Sequence, residues 1–182
     1  MTITELPWFH PQPRQSQIYL DVVPRGVIHA LAKGEADSIA LRYVSPYIAG
    51  PECISLWRMR SAQILATPSD APWVTRLIVD PQITIPVGLA GFHGAPDENG
   101  TVEIGYRVDP SFRRRGYAKC SLEILTDEAR RHPDVTTIRA TVSPTNTASI
   151  ALVTAFGFVA NGEQWDEEDG LETIYEAPAS LI

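Results

Sequence analysis

The first regular pattern in the chain is IYLDVV (Ile18 to Val23), where apolar and polar residues alternate with the period of a half-buried strand. Pro24 follows in the place of a first-turn helical proline. From there to Val44 apolar residues fall at helical spacing, first Val27, Ile28 and Leu31, then Ile39, Ala40 and Tyr43. Gly34 between them predicts a break between two helices. A third helix is expected from about Glu52 to Leu65, presenting Ile54, Trp57, Ala62 and Leu65 and ended by Thr67-Pro68. At Trp73 the period changes. WVTRLIV, VGLAGF and TVEIGYRV read as successive strands bounded by Pro, Gly, Asp or Asn. The segment Pro96-Asp97-Glu98-Asn99-Gly100 has hairpin-turn chemistry, which makes the last two antiparallel neighbours. A helix from about Gly116 to Arg131, the strand TTIRATV (Thr136 to Val142), a helix from Asn146 to Phe156, and closing strands at Phe158-Val159 and Thr173 to Tyr175 complete the pattern. The expected fold class is α+β, an antiparallel meander joined to a strand-helix-strand core.

At 182 residues the chain is expected to form a single domain, residues 1–182. A mean hydropathy of -0.07 excludes a disordered or membrane-embedded composition. No run approaches the roughly 18 apolar residues of a membrane span, and the first residues lack a basic and an apolar signal region, so a cytoplasmic protein is expected. Cys53 and Cys120 lie far apart without His neighbours in sequence, so they are expected to be reduced packing residues, with neither a disulfide nor a metal site.

The net charge of -7 argues against nucleic acid as a partner, yet the segment from Arg107 to Lys119 inverts it. Arg107, Arg113, Arg114, Arg115 and Lys119 face a single acid there, Asp109. A basic loop that runs from a strand into a helix starting near Gly116 combines guanidinium groups with the unpaired N–H groups of a helix N-terminus. That combination is a phosphate cradle. Gly116 and Ala118 permit close backbone approach. A Walker loop is excluded because no Gly-Lys-Ser/Thr closes the segment, and the three-glycine dinucleotide spacing is missing.

Arg113-Arg114-Arg115-Gly116-Tyr117-Ala118 resembles the Arg/Gln-x-x-Gly-x-Gly/Ala signature of the GNAT superfamily of acyl-CoA-dependent N-acyltransferases. Glu103 to Val108, Ser143 to Ser149 and Gly157-Phe158 resemble the branch that contains the ribosomal-protein N-terminal acetyltransferases. The resemblance runs from about Pro86 to Tyr175 and implies a mixed, mostly antiparallel twisted sheet with flanking helices. Its central parallel strands, TVEIGYRV and TTIRATV, would splay apart to hold acetyl-CoA. By the same resemblance the pantetheine arm pairs with backbone near Tyr106 to Val108. The pyrophosphate takes N–H groups of Arg113, Arg114, Gly116 and Tyr117, beside Arg115 and Ala118. Asn146 bonds the pantetheine, and Ser149 lies near the sulfur. Asn146 and Ser149 read equally well as a helix cap and a polar first turn.

The implied reaction moves an acetyl group to a primary amine, either a peptide N-terminus or a small-molecule amine. Glu103 is nominated as the base, against an ordinary strand carboxylate or an anchor for the amine; His93 is the alternative base. Ser149 or a water serves the thiolate, because Val153 stands where many members carry a tyrosine acid. Two further departures are Arg114, at a position that is commonly Gly, and Lys119-Cys120, where a Glu-Ala pair is common. For the acceptor, the acidic run Asp166 to Gly170 reads as a cation attractor or as a hairpin turn. Trp8, Phe9, Trp57, Trp73 and Trp165 are aromatic wall candidates, although spacing makes Trp57 and Trp73 core residues. Homodimers are frequent in such families. The competing expectation is a catalytically silent acyl-CoA sensor or interaction module.

Overall fold

The computed structural model describes residues 5–167 and 170–181. In chain order the elements are β1 (Trp8–Phe9), β2 (Tyr19–Asp21), α1 (Arg25–Lys33), α2 (Ile54–Ala66), β3 (Arg76–Val79), β4 (Gly88–Phe92), β5 (Thr101–Val108), α3 (Tyr117–Arg131), β6 (Thr137–Val142), α4 (Thr147–Ala155), β7 (Val159–Asp166) and β8 (Gly170–Pro178). The strands form one sheet in the order β1-β2-β3-β4-β5-β6-β8-β7. Every neighbouring pair is antiparallel except β5 and β6.

Alternation along β5 divides its side chains between two cores. Val102, Ile104 and Val108 pack under α3 with Leu122, Ile124 and Leu125. On the opposite face Leu77 of β3 and Leu89 of β4 pack with Ile28 and Leu31 of α1 and Trp57 and Ile64 of α2. Glu103, Gly105 and Arg107 of β5 point to that second side, because successive residues of a strand alternate faces. A polar floor therefore lies beside the α1 and α2 core.

The expected helix after Gly34 does not form. Gly34 closes α1 in the left-handed region (φ 78), and the chain continues irregularly to a single 3-10 turn, Leu41–Tyr43. Ile39 and Tyr43 still pack against the second core. The stretch before Pro46 is too short to repay helix nucleation, so burial alone accounts for its apolar spacing. Strand β1 was not signalled by the sequence. Its two residues form an edge pair with β2, and Trp8 turns inward against Phe92, with the Arg76 guanidinium 3.4 Å from its ring centre. Trp8 is thus a core residue, as are Trp57 and Trp73, whereas Phe9 and Trp165 are exposed. The closing strands are longer than the sequence indicated, and of the acidic run Asp166 to Gly170, Glu168 and Asp169 lie outside the described residues.

Candidate active site

The central feature is where β5 and β6 part. They pair only from Thr101 and Thr137 to Glu103 and Arg139, although β5 continues to Val108 and β6 to Val142. On its other edge β5 stays paired with β4 from Ile104 to Val108, and the bonds from the His93 N–H to the Glu103 carbonyl and from the Asp109 N–H to the Val87 carbonyl fix the register. In an antiparallel ladder the two edges alternate. Gly105 and Arg107 therefore face β4, while Tyr106 and Val108 turn their backbone groups into the gap.

Along that gap the Tyr106 hydroxyl is buried without a well-formed hydrogen bond. Burial pushes its pKa up, and the Ser149 side chain beside it offsets this only in part. Ser149 stands in the first turn of α4, where the Asn146 carboxamide oxygen accepts its N–H at 3.1 Å. Asn146 is thus the N-cap of α4 and borders the gap at once. Val153, one turn further along α4, is fully buried.

At the far end of β5 the arginine loop takes a defined form. Asp109 accepts the Ser111 N–H at 2.8 Å and caps a 3-10 turn, Pro110–Phe112. The Arg113 side chain folds back to donate from Nε to the Val108 carbonyl at 3.1 Å, and its own N–H meets the Pro110 carbonyl at 3.4 Å. Arg115 lies over the Phe112 ring. Arg114 adopts φ 63, the sole positive φ at a non-glycine residue among the described residues. This is the left-handed conformation that a glycine takes without strain and that costs another residue about 1–2 kcal/mol. The position therefore has a backbone reason to be glycine, and here the chain retains a cation instead. Gly116 (φ 86) then opens α3 with no side-chain cap, leaving the first-turn N–H groups around Tyr117 and Ala118 to an external acceptor. The Tyr117 side chain points inward and donates to Asp80 at 2.8 Å. Burial, and then Asp80 itself, push its pKa to about 12, so it anchors the helix start as a neutral phenol.

The closed end of the gap, where pairing stops, carries a second polar group. His93 Nδ1 lies 3.3 Å from Glu103 Oε1, and Thr141 of β6 donates to the same oxygen at 2.7 Å. Burial alone would raise the Glu103 carboxyl. The His93 contact and charge, the Thr141 bond and the nearby Arg139 outweigh it and hold the group below the usual carboxylate range. The imidazole lies over Gly105: a Cβ there would sit 2.7 Å from His93 Nε2. Gly105 is a vacancy shaped for that ring. His93 is also held from behind, because Arg60 and Gln63 of α2 both donate to its carbonyl, at 3.1 and 2.7 Å. Gln63 further bonds Asp70, and Arg60 bonds Thr75.

Sequence reasoning named Glu103 and His93 separately and missed their union, as it missed Arg60 and Gln63. One signal was present. Arg60 occupies the buried stripe of α2 with Trp57 and Ile64, and a charge on an apolar stripe calls for partners.

Residues 32–159 match the acetyltransferase (GNAT) domain model, and the chain belongs to that family. It is 37% identical over 75 residues to the uncharacterized N-acetyltransferase YjdG of Bacillus subtilis, a match that spans 41% of this chain and 45% of that protein. Among solved structures, a spermidine/spermine N-acetyltransferase, SpeG, from Vibrio cholerae superposes with a TM-score of 0.63 at 15% identity, covering 90% of this chain and 96% of that one. Mycobacterium smegmatis RimJ in complex with a CoA disulfide gives 0.62 at 17% identity, covering 92% and 84%. These likenesses establish the fold.

Proposed function

We propose that the protein is an acetyl-CoA-dependent N-acetyltransferase for a primary amine, a peptide N-terminus or a small-molecule amine. The observation that carries this reading is the parting of β5 from β6 beyond Glu103 with the His93 and Glu103 pair where the strands begin to part. The residues fit an acyl-CoA. The backbone edge at Tyr106 and the Val108 N–H suit an amide-bearing arm, the Val108 carbonyl being held by Arg113, and the uncapped start of α3 with Arg113, Arg114 and Arg115 suits a diphosphate. Since the Arg113 N–H is turned onto Pro110, the backbone donors of that cradle are Arg114, Gly116, Tyr117 and Ala118. Asn146 and Ser149 would flank the arm. Bound acetyl-CoA supplies an activated acetyl thioester.

The protein's own part is proton handling and orientation. With Nδ1–H donated to Glu103, His93 keeps a lone pair on Nε2, above Gly105, to take a proton from the incoming ammonium directly or through water. Glu103, ionised throughout the neutral range, fixes that tautomer and stabilises the imidazolium. Its low proton affinity makes it the poorer base of the two, so the assignment passes to His93 with Glu103 as its orienting partner. Of the two N–H groups on the β5 edge, at Tyr106 and Val108, the one not taken by the arm offers a donor for developing negative charge. Ser149, beside the neutral Tyr106 phenol, is the hydroxyl donor on the sulfur side.

The test is thiol release from acetyl-CoA against N-terminal peptides, polyamines, aminoglycosides and amino acids, run beside calorimetric titration of acetyl-CoA. Turnover with one acceptor class, and acetyl-CoA affinity lowered at least about tenfold by combined Arg113→Ala and Arg115→Ala, are expected. Binding without turnover of any acceptor would favour the silent sensor. No binding would overturn the reading altogether.

A further inference from the structure

On the opposite side of the sheet from His93, the fold assembles three donor side chains that the proposed reaction does not use. His10 follows β1, and Cys120 and Glu123 stand one turn apart on α3; His10 and Glu123 are 113 residues apart in sequence. One ligand atom of each, the His10 ring nitrogen, the Cys120 sulfur and a Glu123 oxygen, lies within 4.8 Å of the other two. We propose that these residues bind a zinc-class divalent cation and thereby pin the N-terminal segment to α3.

The donor set suits such an ion. Imidazole nitrogen, thiolate sulfur and carboxylate oxygen are its ordinary ligands, and three protein donors leave a fourth position for water. Ligand atoms around a tetrahedral zinc stand about 3.3–3.8 Å apart, so shifts of about 1 Å or less, within reach of side-chain rotation, complete the site. His10 is buried, with Nε2 3.0 Å from Glu123 Oε2. A cation inserted between those two atoms replaces the proton they share. Partners for the outer atoms of these ligands stand close by. His10 Nδ1 accepts the Gln12 N–H at 3.0 Å and lies 3.2 Å from the Gln12 carbonyl, so when Nε2 ligates the Gln12 peptide must shift to let that carbonyl accept the Nδ1–H. The second oxygen of Glu123 is held by Lys119 at 3.1 Å, leaving Oε2 to the metal. Charge closes as well: a thiolate and a carboxylate neutralise a divalent ion, and binding releases the Cys120 thiol proton to solvent. A cavity of about 370 Å³ lined by His10, Gln12, Glu123, Asp127 and Phe156 gives the ion and its water a path of entry.

The experiment is titration of tag-free, chelator-treated full-length protein with Co(II), followed through the thiolate-to-cobalt charge-transfer band in the near ultraviolet and the ligand-field bands in the visible. The expected result is saturation at one equivalent, with Zn(II) displacing the cobalt. Cys120→Ser removes the charge-transfer band, and His10→Gln weakens binding at least about tenfold. Cys53→Ser, which alters the thiol buried in the second core, leaves the band intact. Circular dichroism establishes that each variant is folded. Absence of the band in the parent protein, or its persistence in folded Cys120→Ser, overturns the proposal.

Discussion

The molecule holds two histidine–glutamate pairs whose difference lies in what surrounds them. His93 is 46% exposed where the two strands begin to part, and its carboxylate is steadied by Thr141. The His10 side chain is 3% exposed, and its carboxylate carries Lys119 on one oxygen and has a thiol at hand. A pair with one free imidazole nitrogen facing an open cleft is equipped to move protons. A pair closed in with a sulfur donor is equipped to hold an ion. The same two residue types thus acquire different chemistry from exposure and from the third group.

The strongest test of that contrast is His93→Ala. Loss of a general base lowers kcat by about 10²–10⁴-fold, while acetyl-CoA affinity by calorimetry and the cobalt spectrum of the other pair stay as in the parent. An unchanged kcat would show that exposure at the cleft does not make His93 the base, and the comparison would collapse. Glu103→Gln comes next, with an expected fall of about 10–100-fold, since it removes orientation and charge but leaves the imidazole. If Glu103→Gln costs as much as His93→Ala or more, the carboxylate is itself the base and the imidazole only its neighbour.

A finer adjustment uses Gly105. Gly105→Ala places a methyl group where the His93 ring now lies, and the ring, as the end of a side chain, moves aside more cheaply than backbone would. A drop of about tenfold in kcat is expected, with acetyl-CoA affinity retained and the fold little disturbed, measured by the same assay and titration. An unaffected kcat would mean that the ring's seat over Gly105 does not matter to the reaction.

What the sequence disclosed follows the range of the interactions. The run Glu103 to Val108, the arginine loop, the Gly116 start of α3 and the Asn146 cap of α4 depend on residues within a few positions of one another, and period, turn residues and charge suffice to read them. The His93 and Glu103 pairing was nearly legible, because the hairpin at Pro96 to Gly100 sets the register that places them opposite each other. The clamp of Arg60 and Gln63 on the His93 carbonyl depends on how α2 docks over the sheet, and the meeting of His10 with Cys120 depends on an edge strand of two residues. No local pattern encodes either. The stretch from Gly34 to Val44 shows the opposite failure, a helical period produced by burial of Ile39 and Tyr43 on an irregular chain.

The smallest expected effect concerns stability rather than rate. In the folded protein the Glu103 carboxyl is held below its ordinary value of 4.5 despite burial, chiefly by His93 and Thr141. A carboxylate with a depressed folded-state pKa contributes its full stabilisation above the unfolded-state value and loses it as pH falls from there through the folded-state value. Glu103→Gln cannot titrate, so its melting temperature should fall less steeply below about pH 4.5, and the two curves should approach each other at the acid end. At neutral pH the parent should lie above the variant by about 1 kcal/mol, the net value of a typical hydrogen bond, or roughly 2–4 °C. Glu176, lowered by the hydrogen bond from Arg139 and by that from Asn161, titrates in the same acid range in both proteins and cancels in the difference. Parallel melting curves from pH 7 down to pH 3 would mean that the folded protein does not favour the ionised Glu103. The carboxylate would then lose its claim to orient His93, and the exposed pair would no longer differ from the buried one in the way proposed.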